Sequence, residues 1–173
     1  MGSIPTSDFD IIVFDLGEVL SRIPPQVREA TEKTSIPTLR RLTSTSAWMR
    51  YECGEFDETQ SYEMLGKKFE LSPCAIAKVI SEARDIFECG IAIISWIQKL
   101  IEETHGSLKL IAIWRVPIPE YTILYKRWGD ELFSMFDEIF TSSAIGVRQS
   151  DLGLYRHVLK AIGRNPPKNN PQR

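Results

Sequence analysis

The segment FDIIVFDLGEVLSRIPP, Phe9 to Pro25, decides the fold class. It begins with an apolar run that ends on the carboxylate Asp15, and a short stretch then leads to two prolines. A short run of β-branched and aromatic residues predicts a strand buried on both faces, as in a parallel sheet. Its last residue leaves two interpretations open. Asp15 is either a reactive carboxylate at a strand end or an aspartate whose side chain caps the following turn.

Two later segments predict further strands of the same sheet. SLKLIAIW, Ser107 to Trp114, is a second continuous apolar run, and a third short strand is predicted from Phe136 to Ser143. Helices are indicated between and beside the strands by apolar residues at helical spacing. Strands that alternate with helices predict an α/β fold with a parallel sheet and right-handed crossovers. The predicted helices follow the Ser72-Pro73 start, cover Ile91 to Ile101 and Glu120 to Trp128, and run from Asp151 to Ile162.

The stretch between the first strand and residue 88 is too long for a simple crossover, and it has a helical pattern. It predicts a helical cap at residues 22–88, inserted into a discontinuous Rossmann-like core formed by residues 1–21 and 89–173. Four aromatic residues of this insert are expected to build the core of the cap, or alternatively to line an apolar pocket under it. They are Trp48, Tyr51, Phe56 and Tyr62.

Composition indicates a soluble globular protein and excludes several classes of function. The chain is 43% hydrophobic and 25% charged, with a net charge of -2 and a pI near 5.8. It therefore has no excess positive charge to attract nucleic acid. Three cysteines without a CxxC pair argue against a zinc site or a disulfide framework. The N-terminus does not resemble a signal peptide, and the longest apolar stretch, GIAIISWIQKLI, is too short to span a membrane. A cytoplasmic location is expected.

These segments together resemble the haloacid dehalogenase-like (HAD) superfamily. The resemblance is carried by FDLGEVL at the first strand, WMRYECGEFDE in the insert and IFTSSAIGVRQSDLGLYRHVL at the third strand, and it extends from about Phe9 to Pro167. It implies a parallel sheet with a helical cap and a Mg²⁺-dependent hydrolysis in which Asp15 is both nucleophile and metal ligand. The stretch YRHVLKAIGRNPP is similar to fungal HAD-like proteins of sesquiterpene biosynthesis, which act on isoprenyl diphosphates as phosphatases or cyclases.

The sequence departs from the family pattern at three motif positions. Gly17 replaces a second acid, and Gln149 replaces a lysine. The end of the second strand carries Trp114 and Arg115 in place of a serine or threonine. Arg115, Arg148 and Gln149 remain the candidates for contacting a phosphoryl group. Arg115 is alternatively a solvated arginine, and Arg148 is alternatively a surface or cap-contact residue.

The fourth motif of the family, a pair of magnesium-binding acids after a further strand, is not found before Arg173. The sequence thus resembles a C-terminally truncated member with degenerate motifs. Without further strands the sheet would expose an edge, which favours a homodimer. Three hypotheses remain: a hydrolase of a phosphate ester or isoprenyl diphosphate in terpenoid biosynthesis, a catalytically weak or inactive HAD-fold protein with a binding role, or a fragment of an active enzyme.

Overall fold

Among the described residues, three parallel strands form a sheet in the order β1–β2–β3. The computed structural model describes residues 10–17, 36–86, 91–147 and 152–164. The strands are β1 (Ile11–Asp15), β2 (Lys109–Trp114) and β3 (Glu138–Thr141). Asp15 pairs with Ile113 of β2, and Trp114 of the same strand pairs with Thr141. All three strands therefore end at one edge of the sheet, called the carboxyl edge from here on, and the α/β fold class predicted from the sequence is confirmed.

Eight α-helices accompany this sheet within the described ranges. The Ser72 hydroxyl accepts a hydrogen bond from the backbone N–H of Ala75 at 3.1 Å, which confirms the predicted helix start. The helices are α1 (Ile36–Thr43), α2 (Ser46–Glu52), α3 (Glu58–Phe69), α4 (Pro73–Ile86), α5 (Ile91–Glu103), α6 (Ile118–Trp128), α7 (Ser142–Ile145) and α8 (Leu152–Ala161).

The central strand β2 is covered on both faces, as its continuous apolar sequence requires. The prediction that β1 is buried on both faces is wrong, because Val13 in the middle of this strand is 45% exposed. Alternate residues of β2 point to opposite sides. Leu110, Ala112 and Trp114 pack in a cluster that includes residues of α5 and α6. Ile111 and Ile113 pack against α8 in a second cluster. The central strand is thus the shared wall of two cores, which fixes the carboxyl edge against helices on both sides.

Helices α1 to α4, called the four-helix group from here on, have a hydrophobic core of their own. It contains one side chain of α1, three of α2 and two each of α3 and α4, and all of them are buried. Capping explains where these helices start, because Thr45 accepts from the backbone of Trp48 at 3.1 Å and α3 begins with a capping box. The core residues are Leu42, Ala47, Trp48, Tyr51, Tyr62, Leu65, Ile76 and Ile80.

The third strand ends earlier than the sequence predicts. The prediction extended it to Ser143, whereas β3 ends at Thr141 and the chain turns at once into α7. The reason is a helix cap: the Thr141 hydroxyl accepts a hydrogen bond from the backbone N–H of Ala144 at 3.2 Å. Ser142 and Ser143 therefore stand at the start of a helix on the carboxyl edge.

Ser142 joins three separate parts of the chain through one buried hydroxyl. Its Oγ donates to the backbone carbonyl of Glu52, the last residue of α2, at 2.6 Å. The same oxygen accepts from the backbone N–H of Val116 in the loop after β2, at 3.1 Å. Nearby, Gly54 has a φ of +72°, and a Cβ there would lie 3.0 Å from the Ser143 carbonyl oxygen. The end of α2 is thus held against the carboxyl edge at close range.

A second connection between the four-helix group and the sheet is ionic. Arg84 of α4 donates from Nε and Nη2 to both carboxylate oxygens of Glu120 in α6, at 2.9 and 2.7 Å. The two side chains are only 18% and 10% exposed. Paired donation in this fork geometry is the strongest form of arginine–carboxylate contact. It fixes α4 to α6 at a point where water has little access.

Replacing Ser142 by alanine should lower the free energy of unfolding by about 2 kcal/mol, because a buried N–H and a buried carbonyl each lose a partner. Urea denaturation followed by circular dichroism measures the change. Ser134→Ala is the control, since that exposed hydroxyl donates only to the nearby Asp130 carbonyl. Equal losses in the two variants would show that the Ser142 contacts contribute nothing special.

Glu120→Gln should cost about 3 kcal/mol of stability, because it leaves the Arg84 charge buried without its counter-charge. The double variant Arg84→Met/Glu120→Leu should recover most of that loss, since apolar side chains of similar size fill the same space. Thermal and urea unfolding of the three proteins test this. Glu103→Gln, which breaks an exposed pair with Lys99, is the control and should stay within about 0.5 kcal/mol of the parent.

Candidate active site

Asp15 is the last residue of β1 and lies half-buried at the carboxyl edge. Its Oδ1 accepts a hydrogen bond from the backbone N–H of Gly17 at 3.0 Å. The side chain therefore caps the turn that follows the strand, which was one of the two interpretations of the sequence. The same bond orients the carboxylate, and it leaves Oδ2 outside that contact. A nucleophilic role for Asp15 stays a prediction.

Gly17 lies where the resembling family has its second acid. A Cβ at this position would lie 3.2 Å from Asp15 Oδ1, so a side chain here would press on the carboxylate. Gly17 itself helps to line a cavity, whereas Asp15 is not among the residues of its wall. The backbone here supplies a hydrogen-bond donor instead of an acid.

Neither Trp114, the last residue of β2, nor Arg115 after it can replace a phosphate-binding hydroxyl, as the sequence predicted. The Trp114 side chain is buried among apolar residues, and its ring stacks on Phe133 with centroids 5.6 Å apart. Arg115, the next residue, is 43% exposed, and its Nε lies 3.8 Å from Oε2 of Glu52. Arg115 is therefore at the carboxyl edge as predicted, but it is paired with a carboxylate that sequence reasoning did not identify.

The third strand contributes hydroxyls that are already engaged. Thr141 caps α7, and Ser142 makes the two buried bonds described above. The predicted phosphate-binding residues Arg148 and Gln149 lie outside the described residues. The carboxyl edge therefore brings together Asp15 and Arg115 from the predicted set.

A cavity of about 280 Å³ opens between the carboxyl edge and helices α1, α2, α4 and α6. This is close to the lower end of the size range of small-molecule sites, roughly 300–1,000 Å³. Its polar lining is Thr43 and four charged side chains: Glu52, Arg84, Arg115 and Glu120. The apolar part of the wall includes Leu39, Trp48, Ile80, Trp114, Val116 and Trp128.

The charged side chains of the cavity form two ion pairs, and each joins the four-helix group to the region that follows β2. Arg84 with Glu120 is the tight, nearly buried pair, and Glu52 with Arg115 is the looser one. The hydrogen bonds that Arg84 donates to Glu120 are the main reason why the pKa of Arg84 is raised, so this guanidinium is permanently charged. Sequence reasoning missed Glu52, Arg84 and Glu120, since pairs 36 and 63 positions apart leave no local pattern.

The aromatic residues of the insert take part in both of the roles that the sequence left open. Trp48 belongs to the core of the four-helix group and also lines the cavity. Tyr51 lines a second cavity with Phe56, whereas Tyr62 is buried in the helical core. Burial raises the pKa of Tyr51 and Tyr62 above the ordinary 10.0, and nearby carboxylates, among them Glu58, raise it further. Both phenols therefore stay protonated at neutral pH, and the Tyr51 hydroxyl donates to Oε2 of Glu58 at 3.5 Å.

Magnesium prefers oxygen ligands in octahedral geometry, usually one or two carboxylates with substrate phosphates and water. Among the described residues there is no group of three or more Asp, Glu, His or Cys side chains able to hold a metal ion. At the end of β1 they offer Asp15, whose Oδ1 already accepts from Gly17. The described residues therefore do not form a magnesium site by themselves.

Across the described ranges, no helix combines the length and the apolar character needed to cross a membrane.

No family model matches the chain. Two fungal proteins are among the curated proteins to which it is similar. A drimenol cyclase of Aspergillus calidoustus is 28% identical over 151 residues, which are 87% of this chain and 28% of that protein. A sesquiterpene phosphatase of Aspergillus oryzae is 26% identical over 155 residues, which are 89% of this chain and 74% of that protein. The chain thus spans little more than a quarter of the cyclase and about three quarters of the phosphatase.

Solved structures give a consistent account of the fold. A predicted HAD-like hydrolase from Porphyromonas gingivalis superposes with a TM-score of 0.68 at 18% identity, over 91% of this chain and 78% of that one. A HAD family enzyme from Bacteroides thetaiotaomicron, in complex with magnesium and inorganic phosphate, gives 0.65 at 13% identity, over 90% and 80%. The L-2-haloacid dehalogenase of Xanthobacter autotrophicus gives 0.58 at 19% identity, over 91% and 66%. The chain therefore has the fold of the haloacid dehalogenase-like hydrolases, as its sequence predicted.

Proposed function

We propose that this protein hydrolyses a phosphate ester, and that its substrate is an isoprenyl diphosphate or monophosphate of terpenoid biosynthesis. The observation that carries the proposal is the cavity, which begins at Gly17, two residues after Asp15, and continues along an apolar and aromatic wall. A ligand with a charged head and a hydrocarbon chain matches this arrangement. The head would lie at the carboxyl edge, and the chain would lie under the helices of the four-helix group.

In this proposal Asp15 is the nucleophile. Its carboxylate attacks phosphorus, the bond to the leaving oxygen breaks, and an aspartyl phosphate forms. Water then cleaves the aspartyl phosphate, which returns the carboxylate and releases inorganic phosphate. The leaving oxygen takes its proton from water, because Gly17 offers no acid. Arg115 holds the phosphoryl oxygens with its charge and its fork of donors.

Two comparisons support the choice of substrate class. The sesquiterpene phosphatase shares most of its length with this chain, whereas the drimenol cyclase shares little more than a quarter of its own. Phosphate release is accordingly proposed ahead of cyclisation. A role for Arg148 and Gln149 in phosphate binding belongs to the same proposal, as does the assignment of residues 22–88 as a cap over a core of residues 1–21 and 89–173.

Magnesium dependence is proposed on the strength of the solved neighbours, some of which hold magnesium with inorganic phosphate. The described residues of this chain supply only part of such a site, so no step of the proposed reaction is assigned to the ion. The homodimer and the cytoplasmic location stay predictions.

A second candidate function is binding without efficient turnover. The specific observation in its favour is Trp114, a buried indole at the position where the family has a serine or threonine hydroxyl. Each oxyanion donor that an active site lacks costs roughly 10²–10³ in rate. A protein with this site would hold a phosphorylated terpenoid or a protein partner on the same carboxyl edge.

The test is phosphate release from farnesyl diphosphate and from 4-nitrophenyl phosphate, with magnesium or with EDTA. Asp15→Asn should reduce release by at least about a hundredfold, because the amide cannot act as the nucleophile. Asp130→Asn is the matched control: this exposed aspartate follows α6, which leads away from the carboxyl edge, and the variant should keep full activity.

Extraction of the organic phase and mass spectrometry identify farnesol, farnesyl monophosphate or a cyclised product. Release that survives Asp15→Asn would remove the nucleophile from the proposal. Absence of release from the parent protein, together with calorimetric binding of farnesyl diphosphate, would favour the second candidate.

A further inference from the structure

The guanidinium of Arg115 has hydrogen-bond donors that its contact with Glu52 does not use and that a ligand could engage. The 3.8 Å between its Nε and Glu52 Oε2 allows charge attraction but exceeds a hydrogen-bond length. Within the described part of the chain, Arg115 makes no hydrogen bond. Its side chain lines the cavity and is 43% exposed, so it can change its partner without first leaving a buried position.

The other ion pair of the cavity provides an internal comparison. Arg84 donates two hydrogen bonds to Glu120, at 2.9 and 2.7 Å, and both side chains are nearly buried. Exchanging that partner would require breaking two strong hydrogen bonds. The pair at Arg115 combines the same two residue types without those bonds, so it is the pair that a ligand can open.

Glu52 is the fixed member of the loose pair. Its Oε1 accepts from the Trp48 indole N–H at 2.7 Å, and its backbone carbonyl accepts from Ser142 at 2.6 Å. It also stands at the C-terminal end of α2, where the helix dipole disfavours a negative charge. The carboxylate lies 3.8 Å from Arg115, which gives it an electrostatic role in the cavity besides its bond to Trp48.

We propose that Glu52 determines anion binding in this cavity by competing with the ligand for Arg115. In the ligand-free protein the carboxylate neutralises the guanidinium. A phosphate or diphosphate group then draws Arg115 into its own hydrogen bonds and away from Glu52. The inference rests on the proposed function for the chemistry of the ligand. It adds that Glu52 lowers the affinity of the cavity for anions, and that only an anion with more than one negative charge displaces it from Arg115.

Binding of inorganic diphosphate, measured by isothermal titration calorimetry, tests the competition without any turnover. Glu52→Gln keeps the size of the side chain and an acceptor for Trp48, and it should bind diphosphate about fivefold more tightly than the parent. Arg115→Gln should bind about tenfold more weakly. In the Arg115→Gln background, Glu52→Gln should have no effect, because the guanidinium for which they compete is gone.

Glu103→Gln is the matched control, since it removes one exposed negative charge from α5, outside the cavity lining, and should bind like the parent. Equal or weaker binding by Glu52→Gln, or an equal gain in both Arg115 backgrounds, would overturn the proposal. Absence of binding in the parent and in Glu52→Gln up to millimolar diphosphate would overturn it as well. Calorimetry decides this independently of phosphate release, so an inactive protein can still show the competition.

If Glu52→Gln does not fold, as judged by circular dichroism and thermal unfolding, Glu52→Asp replaces it. The shorter side chain keeps its charge but withdraws the carboxylate from Arg115, so diphosphate should again bind more tightly than in the parent. An unchanged affinity in Glu52→Asp would contradict the competition.

Discussion

The carboxyl edge of this protein depends on the buried hydroxyl of Ser142. That one oxygen bonds the last carbonyl of α2 and the backbone N–H of Val116, so it joins the four-helix group to the loops after β2 and β3. That carbonyl belongs to Glu52, so the bond also fixes the position of the Glu52 carboxylate, a charge inside the cavity. Packing brings these segments near each other, and the hydroxyl sets the distance between them.

Sequence patterns predicted the parts of the fold in which neighbouring residues decide the outcome. The apolar runs gave the three strands, and Ser72 with Pro73 gave the start of a helix, since both signals are local. The end of β3 was placed two residues too late, because the capping bond of Thr141 competes with β pairing and is invisible to a hydrophobic pattern. In the structure the short helices α2 and α7 likewise begin at capping threonines, Thr45 and Thr141, and a hydrophobic pattern does not indicate such caps.

The candidate site was predicted less completely, for a physical reason. Asp15 is the last residue of β1 and Arg115 follows β2. Parallel strands bring their ends together, so the meeting of these two residues at one edge follows from topology. Glu52, Arg84 and Glu120 reach the cavity from helices whose relative positions only tertiary packing decides. The family resemblance identified groups that are missing from the motifs, such as the acid replaced by Gly17 and the hydroxyl replaced by Trp114. The structure adds that the cavity next to these positions contains two opposite-charge pairs of its own.

Three of the four tryptophans of the chain, Trp48, Trp114 and Trp128, line this cavity, and the fourth, Trp96, is half exposed on α5. The indoles that shape the site are therefore also the chromophores that dominate the near-ultraviolet spectrum of the protein. Any molecule that enters between them alters the polarity around most of the fluorescent groups at once. The protein thus has an intrinsic optical signal for occupancy of its own cavity, and identifying its ligand requires no label.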